Sequence, residues 1–194
     1  SPEAPVQILK VQREEFRVGG AANVARNLVT LGARVSCGGV VGRDAGGRSL
    51  APLLRQRRID SSAVVTVSKR TTSVKTRMLA HNQQMLRIDR EQTEPIPAAA
   101  EKRLIAASLK AAAGADLAIL SDYDKGTLTT RVCERFLRSV KCPVLVGLKG
   151  RDYRKYAHAA GAKMLLAINT YPQGFAAPRW QRAIDGAADL GIDA

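Results

Sequence analysis

The stretch "GGAANVARNLVTLGARVSCGGVVGRD", residues 19–44, decides the fold. Ala21, Val24, Ala25, Leu28 and Leu31 recur at spacings of three and four, the period of a helix with one apolar face. Gly32 stands where a left-handed residue would end that helix, and residues 34–41 then read as a strand. The glycine pair Gly19-Gly20 therefore opens a helix. At such a start the backbone N–H groups can face an oxygen-rich ligand with no β-carbon in the way, and Asn23 projects from the first turn. A plain tight turn is the competing reading of Gly-Gly-x-x-Asn taken alone.

Further along the chain the helix–strand step repeats. A second helix is expected from Gly46 or Gly47, with Leu50, Leu53 and Leu54 opposite Arg48, Arg55 and Arg58, followed by a strand at residues 63–67. Residues 72–80 and 84–89 alternate polar with apolar around a short turn at His81-Asn82, which describes a hairpin with one wet face. After Pro95-Ile96-Pro97, helices are expected at residues 98–113 and 129–140, strands at 116–120, 143–148 and 163–168, and a weak last helix at 178–190. This order implies an α/β protein with a doubly wound, mostly parallel sheet. The hairpin and an N-terminal strand at residues 5–11 are expected to form a second small sheet.

Composition narrows the class. The 194 residues suit one domain, and 45% hydrophobic but only 4% aromatic residues point to a core of Ala, Val, Leu and Ile. No apolar run approaches the ~20 residues of a membrane-spanning helix, and residues 1–10 do not read as a signal peptide. A soluble protein with no membrane partner is expected. Cys37, Cys133 and Cys142 are widely spaced, which indicates neither a zinc site nor a disulfide framework. The net charge of +14 and a pI near 10.3 favour phosphate-bearing partners. Nucleic acid stays open as a partner on charge alone, although no aromatic residues interleave the basic ones as a stacking platform requires.

Gly32 and Gly42 follow the glycine pair at the spacing of the first sugar-kinase signature, and the chain resembles the PfkB/ribokinase family. Five blocks in order sharpen the resemblance to the branch that phosphorylates D-glycero-β-D-manno-heptose 7-phosphate in ADP-heptose synthesis for the lipopolysaccharide core. They are SPEAPV (1–6), GGAANVARNL (19–28), KTRMLAHNQQMLRIDRE (75–91), LSDYDKG (120–126) and LKGRDYRKY (148–156). The resemblance runs to about Asn169. It implies a single ribokinase-like domain whose β lid takes strands from about residues 4–16 and 72–90. Gly19, Gly20 and Asn23 would hold the sugar, with Arg77, Gln83, Gln84, Arg87 and Asp89 coming down from the lid. Arg77 and Arg87 are the lid's donors for a phosphate, although arginines on a hairpin can also be mere solubilising groups. Asp122 and Lys125 sit at a strand's C-terminal end, where open α/β sheets bind ligands, and a turn or cap role is the rival for Asp122. Lys149 and Asn169 would serve the nucleotide, with Lys149 otherwise a solvated loop lysine.

The resemblance further implies ATP and Mg²⁺, a sugar phosphate substrate, a homodimer formed through the lid, and a cytoplasmic location; the basic charge would suit an organellar matrix equally. Three departures bear on activity. Both ends of the family domain are expected to be missing: its opening strand with a Gly-Asp pair, and the Gly-Ala-Gly-Asp segment that supplies the base and an anion-binding helix. Gly147-Leu148-Lys149-Gly150 replaces Asp-Pro-Lys-Gly, and Asn169-Thr170-Tyr171-Pro172 puts proline where Asn-x-x-Glu has its Mg²⁺-organising carboxylate. A catalytic residue is therefore not assigned, no metal ligand is assigned, and the chain alone is expected to be inactive. The alternative is a non-catalytic basic subunit of a larger assembly, with or without RNA, and a regulatory sugar-phosphate binder is a third reading.

Overall fold

The structure, a computed structural model, describes residues 8, 10–81, 83–148 and 164–167. The first helix, α1, spans Ala21–Thr30 and buries Ala22 and Ala25. It ends as the sequence predicts: Gly32 takes φ +92°, its N–H bonds the Val29 carbonyl at 3.0 Å, and the Ala33 N–H bonds that of Leu28 at 3.0 Å. Strand β1, Val35–Gly42, runs parallel to β2, Ile59–Val67, with helix α2, Ala45–Gln56, between them. The helix starts at Ala45 because the Asp44 carboxylate caps it, accepting from the Gly47 N–H at 2.8 Å.

β2 begins four residues before the expected 63. Its polar start, Asp60-Ser61-Ser62, hides the strand in the sequence, but Val35 pairs with Ile59 and the Ser36 hydroxyl bonds Asp60 at 2.9 Å. The lid hairpin follows: β3, Val74–Ala80, and β4, Gln83–Arg90, are antiparallel, with an irregularity between Met78 and Leu79. Helix α3, Ala98–Ala111, leads to β5, Ala118–Asp122, and α4, Thr130–Ser139, to β6, Val144–Leu148. The last described strand, β7, is Met164–Ala167, and β5, β6 and β7 are parallel neighbours in that order. The Thr129 hydroxyl caps α4 through the Val132 N–H at 3.2 Å.

The parallel strands therefore form two pieces, β1–β2 and β5–β6–β7. One core cluster joins α1 and α2 to β2 through Ala22, Ala25, Leu54 and Ile59. A second joins α3 and α4 to β2 through Ala100, Leu104, Val132 and Val65, and a third packs Cys133 and Phe136 on β5 and β6. Helix α3 spans both pieces, since its Leu109 and its C-cap residue Ala112 pack against the third cluster. Among the described residues the N-terminal lid strand, about 4–16, is not formed. Residues 10–16 have irregular backbone, Val11 and Phe16 are exposed, and Glu15 pairs locally with Arg13 and Arg17. The helix expected at 178–190 lies outside the described residues.

Candidate sugar site

The floor is the start of α1. Gly20 caps the helix at φ +54° and ψ −135°, a conformation that side chains resist, and no side chain caps this end. Gly19 is exposed and a β-carbon there would meet nothing within 4 Å, so the glycine answers no packing demand among the described residues. The half-buried Asn23 side chain makes no hydrogen bond among them either. The glycines are thus open rather than sealed in protein. Tyr123 brings the loop after β5 beside them, its ring 3.7 Å from where a β-carbon on Gly20 would stand.

That loop holds two predicted residues. Asp122 is buried at the end of β5 and accepts the Asp124 N–H at 2.9 Å, so the turn role is realised. Lys125 reaches the Glu91 carboxylate at 2.7 Å, and the other oxygen of Glu91 meets Lys75 at 2.9 Å. One carboxylate therefore bridges the lid to the β5 loop. These two lysines hold the Glu91 carboxyl below its usual range, and Lys75 does the same to Asp89.

Strand register sets the roof. Arg77 lies directly opposite Arg87, and Lys75 opposite Asp89, so all four share one face of the hairpin. Asp89 is engaged by Lys75 at 2.6 Å and by the Arg87 Nε at 3.0 Å. Arg77 has no side-chain partner among the described residues. Gln84 pairs with Leu79 on the arginine side, whereas Gln83 pairs with Ala80 and belongs to the other face. That other face leaves apolar side chains in the open, with Leu86 51% and Ile88 47% exposed. Lys149 and Asn169 lie outside the described residues.

Among the described residues no hydrogen bond or ion pair joins the glycines or Asn23 to the hairpin. A cavity of about 180 Å³ at the end of β2 is lined by Arg43, Ser68, Pro97 and Arg103, and an open hollow of about 420 Å³ by Phe16, Arg48, Pro52 and Leu53. Neither touches the glycines, Asn23 or the hairpin. The foot of the lid, which the sequence reading missed, is by contrast tightly bonded. Thr72 donates its N–H to Asp44 at 2.8 Å and accepts the Gly42 N–H on its hydroxyl at 2.8 Å. Burial opposes the Asp44 charge, but the Thr72 and Gly47 hydrogen bonds outweigh it and hold the carboxyl below its usual range. The signal was present: an aspartate three residues ahead of Gly47 at a helix start is a cap pattern.

The model of the pfkB family carbohydrate kinases matches residues 2–169. The chain belongs to this family. The bifunctional protein HldE of Geobacter metallireducens is 46% identical over 162 residues, covering 82% of this chain and 33% of the relative. HldE of Wolinella succinogenes is 44% identical over 163 residues, covering 82% and 34%. The chain thus spans about a third of the length of the curated relatives it matches. Among solved structures, Arabidopsis thaliana ribokinase complexed with ribose and ATP has a TM-score of 0.58 at 17% identity, covering 88% of this chain and 57% of that one. This likeness shows a ribokinase-like fold, with parallel strands between helices. No helix among the described residues is long and apolar enough to cross a membrane.

Proposed function

We propose that this chain is the sugar-phosphate-binding part of a carbohydrate kinase acting on heptose 7-phosphate, in the route to ADP-heptose. The observation that carries the reading is the strand register that sets Arg77 opposite Arg87. Like charges directly opposite on one sheet face repel, and a phosphate between them turns the repulsion into two charge-assisted contacts. Gly19 and Gly20 let the sugar hydroxyls approach the main chain, and the Asn23 amide supplies a donor and an acceptor to them. Lys75, Asp89 and Glu91 hold the roof in place, and Asp122 and Lys125 border the floor.

ATP is the phosphoryl donor that family membership implies, and Mg²⁺ its companion. Among the described residues no group of three or more His, Cys, Asp or Glu gathers to hold an ion, and no step is assigned to one. The 194 residues contain no Gly-Ala-Gly-Asp segment, and Pro172 stands where the family's carboxylate is expected. By themselves they bind the sugar phosphate and do not transfer to it. The face with Leu86 and Ile88 is covered by the hairpin of a second copy, because a lone two-stranded hairpin is marginal in water.

Titration calorimetry with heptose 7-phosphate and with unphosphorylated heptose tests the reading. The phosphate should strengthen binding, and Arg77→Ala should erase about tenfold or more of that gain, the size of a charged hydrogen bond. Equal affinities for the two sugars, or an Arg77→Ala variant that binds as well as the parent, would refute it. With ATP and Mg²⁺ added, turnover by the 194 residues alone would refute the assignment as a binding part.

A further inference from the structure

Arg70 follows the end of β2 by three residues and is only 8% exposed. Among the described residues its guanidinium faces no carboxylate at bonding distance. Instead Nη1 donates to the Glu94 carbonyl at 2.9 Å, and Nη2 donates to the carbonyls of Gln92, at 3.2 Å, and Lys125. Residues 70–72 lead into the lid, residues 91–95 lead out of it, and Lys125 belongs to the loop after β5. One side chain therefore fastens three separate strips of backbone.

Neighbouring contacts follow the same pattern. The Thr71 N–H donates to the Gln92 side-chain carbonyl at 3.1 Å, and the Ile96 N–H donates to the Gly126 carbonyl at 3.0 Å. Gly126 takes φ +65°, and a β-carbon on it would stand only 2.5 Å from the Glu94 carbonyl carbon. The fit is too tight for the strips to slide past one another. Burial works against the charge, drawing the Arg70 pKa down, while the nearby Glu94 favours it. A buried cation held by carbonyl dipoles is a costly device when only stability is required. Its benefit is geometric, because the planar guanidinium carries five donors in fixed directions and reaches several acceptors at once.

We infer that Arg70 is a positioning residue that makes the lid stems and the Asp122–Lys125 loop move as one body, so that the roof and one border of the sugar site take up their places together. The sugar part of this inference rests on the function proposed above; the mechanical coupling does not. Lysine cannot replace arginine here. A single ammonium nitrogen at the end of a flexible stem has three donors but no fork to hold three carbonyls from two other strips at set angles.

The test uses the full chain with Arg70→Lys and Arg70→Ala, followed by amide hydrogen exchange and by titration with heptose 7-phosphate. In Arg70→Lys, exchange should rise together in peptides covering residues 74–90 and 118–128, by about tenfold or more for the loss of charged hydrogen bonds, while peptides of α1 and β1 keep their rates. Affinity for heptose 7-phosphate should fall in step. A rise in the hairpin alone, in the loop alone, or uniformly through the chain would overturn the coupling. If Arg70→Ala fails to fold, Arg70→Lys decides the matter. A parent protein that does not bind heptose 7-phosphate overturns the proposed function, and the exchange pattern still decides the coupling.

Discussion

At the foot of the lid, Asp44, Thr72, Arg70 and Gly42 are bonded to one another or to neighbouring backbone, and little space is left between them. A few residues further on, all eight residues of β4 are exposed, and its charges are met only by other surface side chains. The two regions are joined by continuous chain yet follow different rules. The foot fixes a direction, and the hairpin presents chemistry along it. Rigidity at the root would let an exposed, two-stranded roof carry the proposed site without a core of its own.

Substitutions can break this contrast, and the largest effect should come from Gly126→Ala. The new β-carbon would press on the Glu94 backbone in a left-handed conformation, so a loss of about 3 kcal/mol is expected in urea denaturation. Gly19→Ala, where nothing lies within 4 Å, should change stability by less than about 0.5 kcal/mol and yet weaken sugar-phosphate binding. Equal stability losses at the two glycines would abolish the distinction between foot and floor.

Asp44→Ala comes next, since it removes a helix cap and the partner of the Thr72 N–H together; about 2 kcal/mol is expected. The pH dependence has a definite sign. The folded-state pKa of Asp44 is depressed, so its contribution is fully present above the unfolded carboxyl value and is lost as pH falls through the lower, folded value. In Asp44→Ala that part of the acid-side slope should vanish; an unchanged slope would assign it to other groups.

The smallest effect belongs to the lid's ion pairs. Glu91→Gln should raise hydrogen exchange in residues 74–90 by a few-fold at low salt, and at about 1 M salt, where screening reaches ~3 Å, parent and variant should converge. Acid acts in the same direction: Asp89 and Glu91 are both depressed, so their hold on the lysines is lost as pH falls through the depressed values. A salt-insensitive difference would mean that Glu91 packs rather than pairs.

The sequence made the hairpin and α1 legible because each carries a strong local period, and Gly32 marked the helix end that the backbone realises. The early start of β2 was not legible, because Asp60-Ser61-Ser62 breaks the apolar pattern and only pairing with β1 makes it a strand. In the site, Gly20 could be singled out by its place ahead of a helix and Asp122 by its place at a strand end, whereas Arg77 and Arg87 stood out only through the family resemblance and read alone as a solubilising strand face. Arg70 could not, since its three acceptors lie 22 to 55 residues away and are backbone carbonyls, which leave no mark in the identity of a residue. Lys125 was legible as a strand-end lysine, but its partner Glu91 was not, for the same reason of distance.

Because α1 begins on main chain in a shape reserved for glycine, the backbone at Gly20 proposed to face a sugar ring has no side chain that substitution could retune. Evolution toward another carbohydrate would have to rewrite the hairpin above and leave the ground beneath untouched.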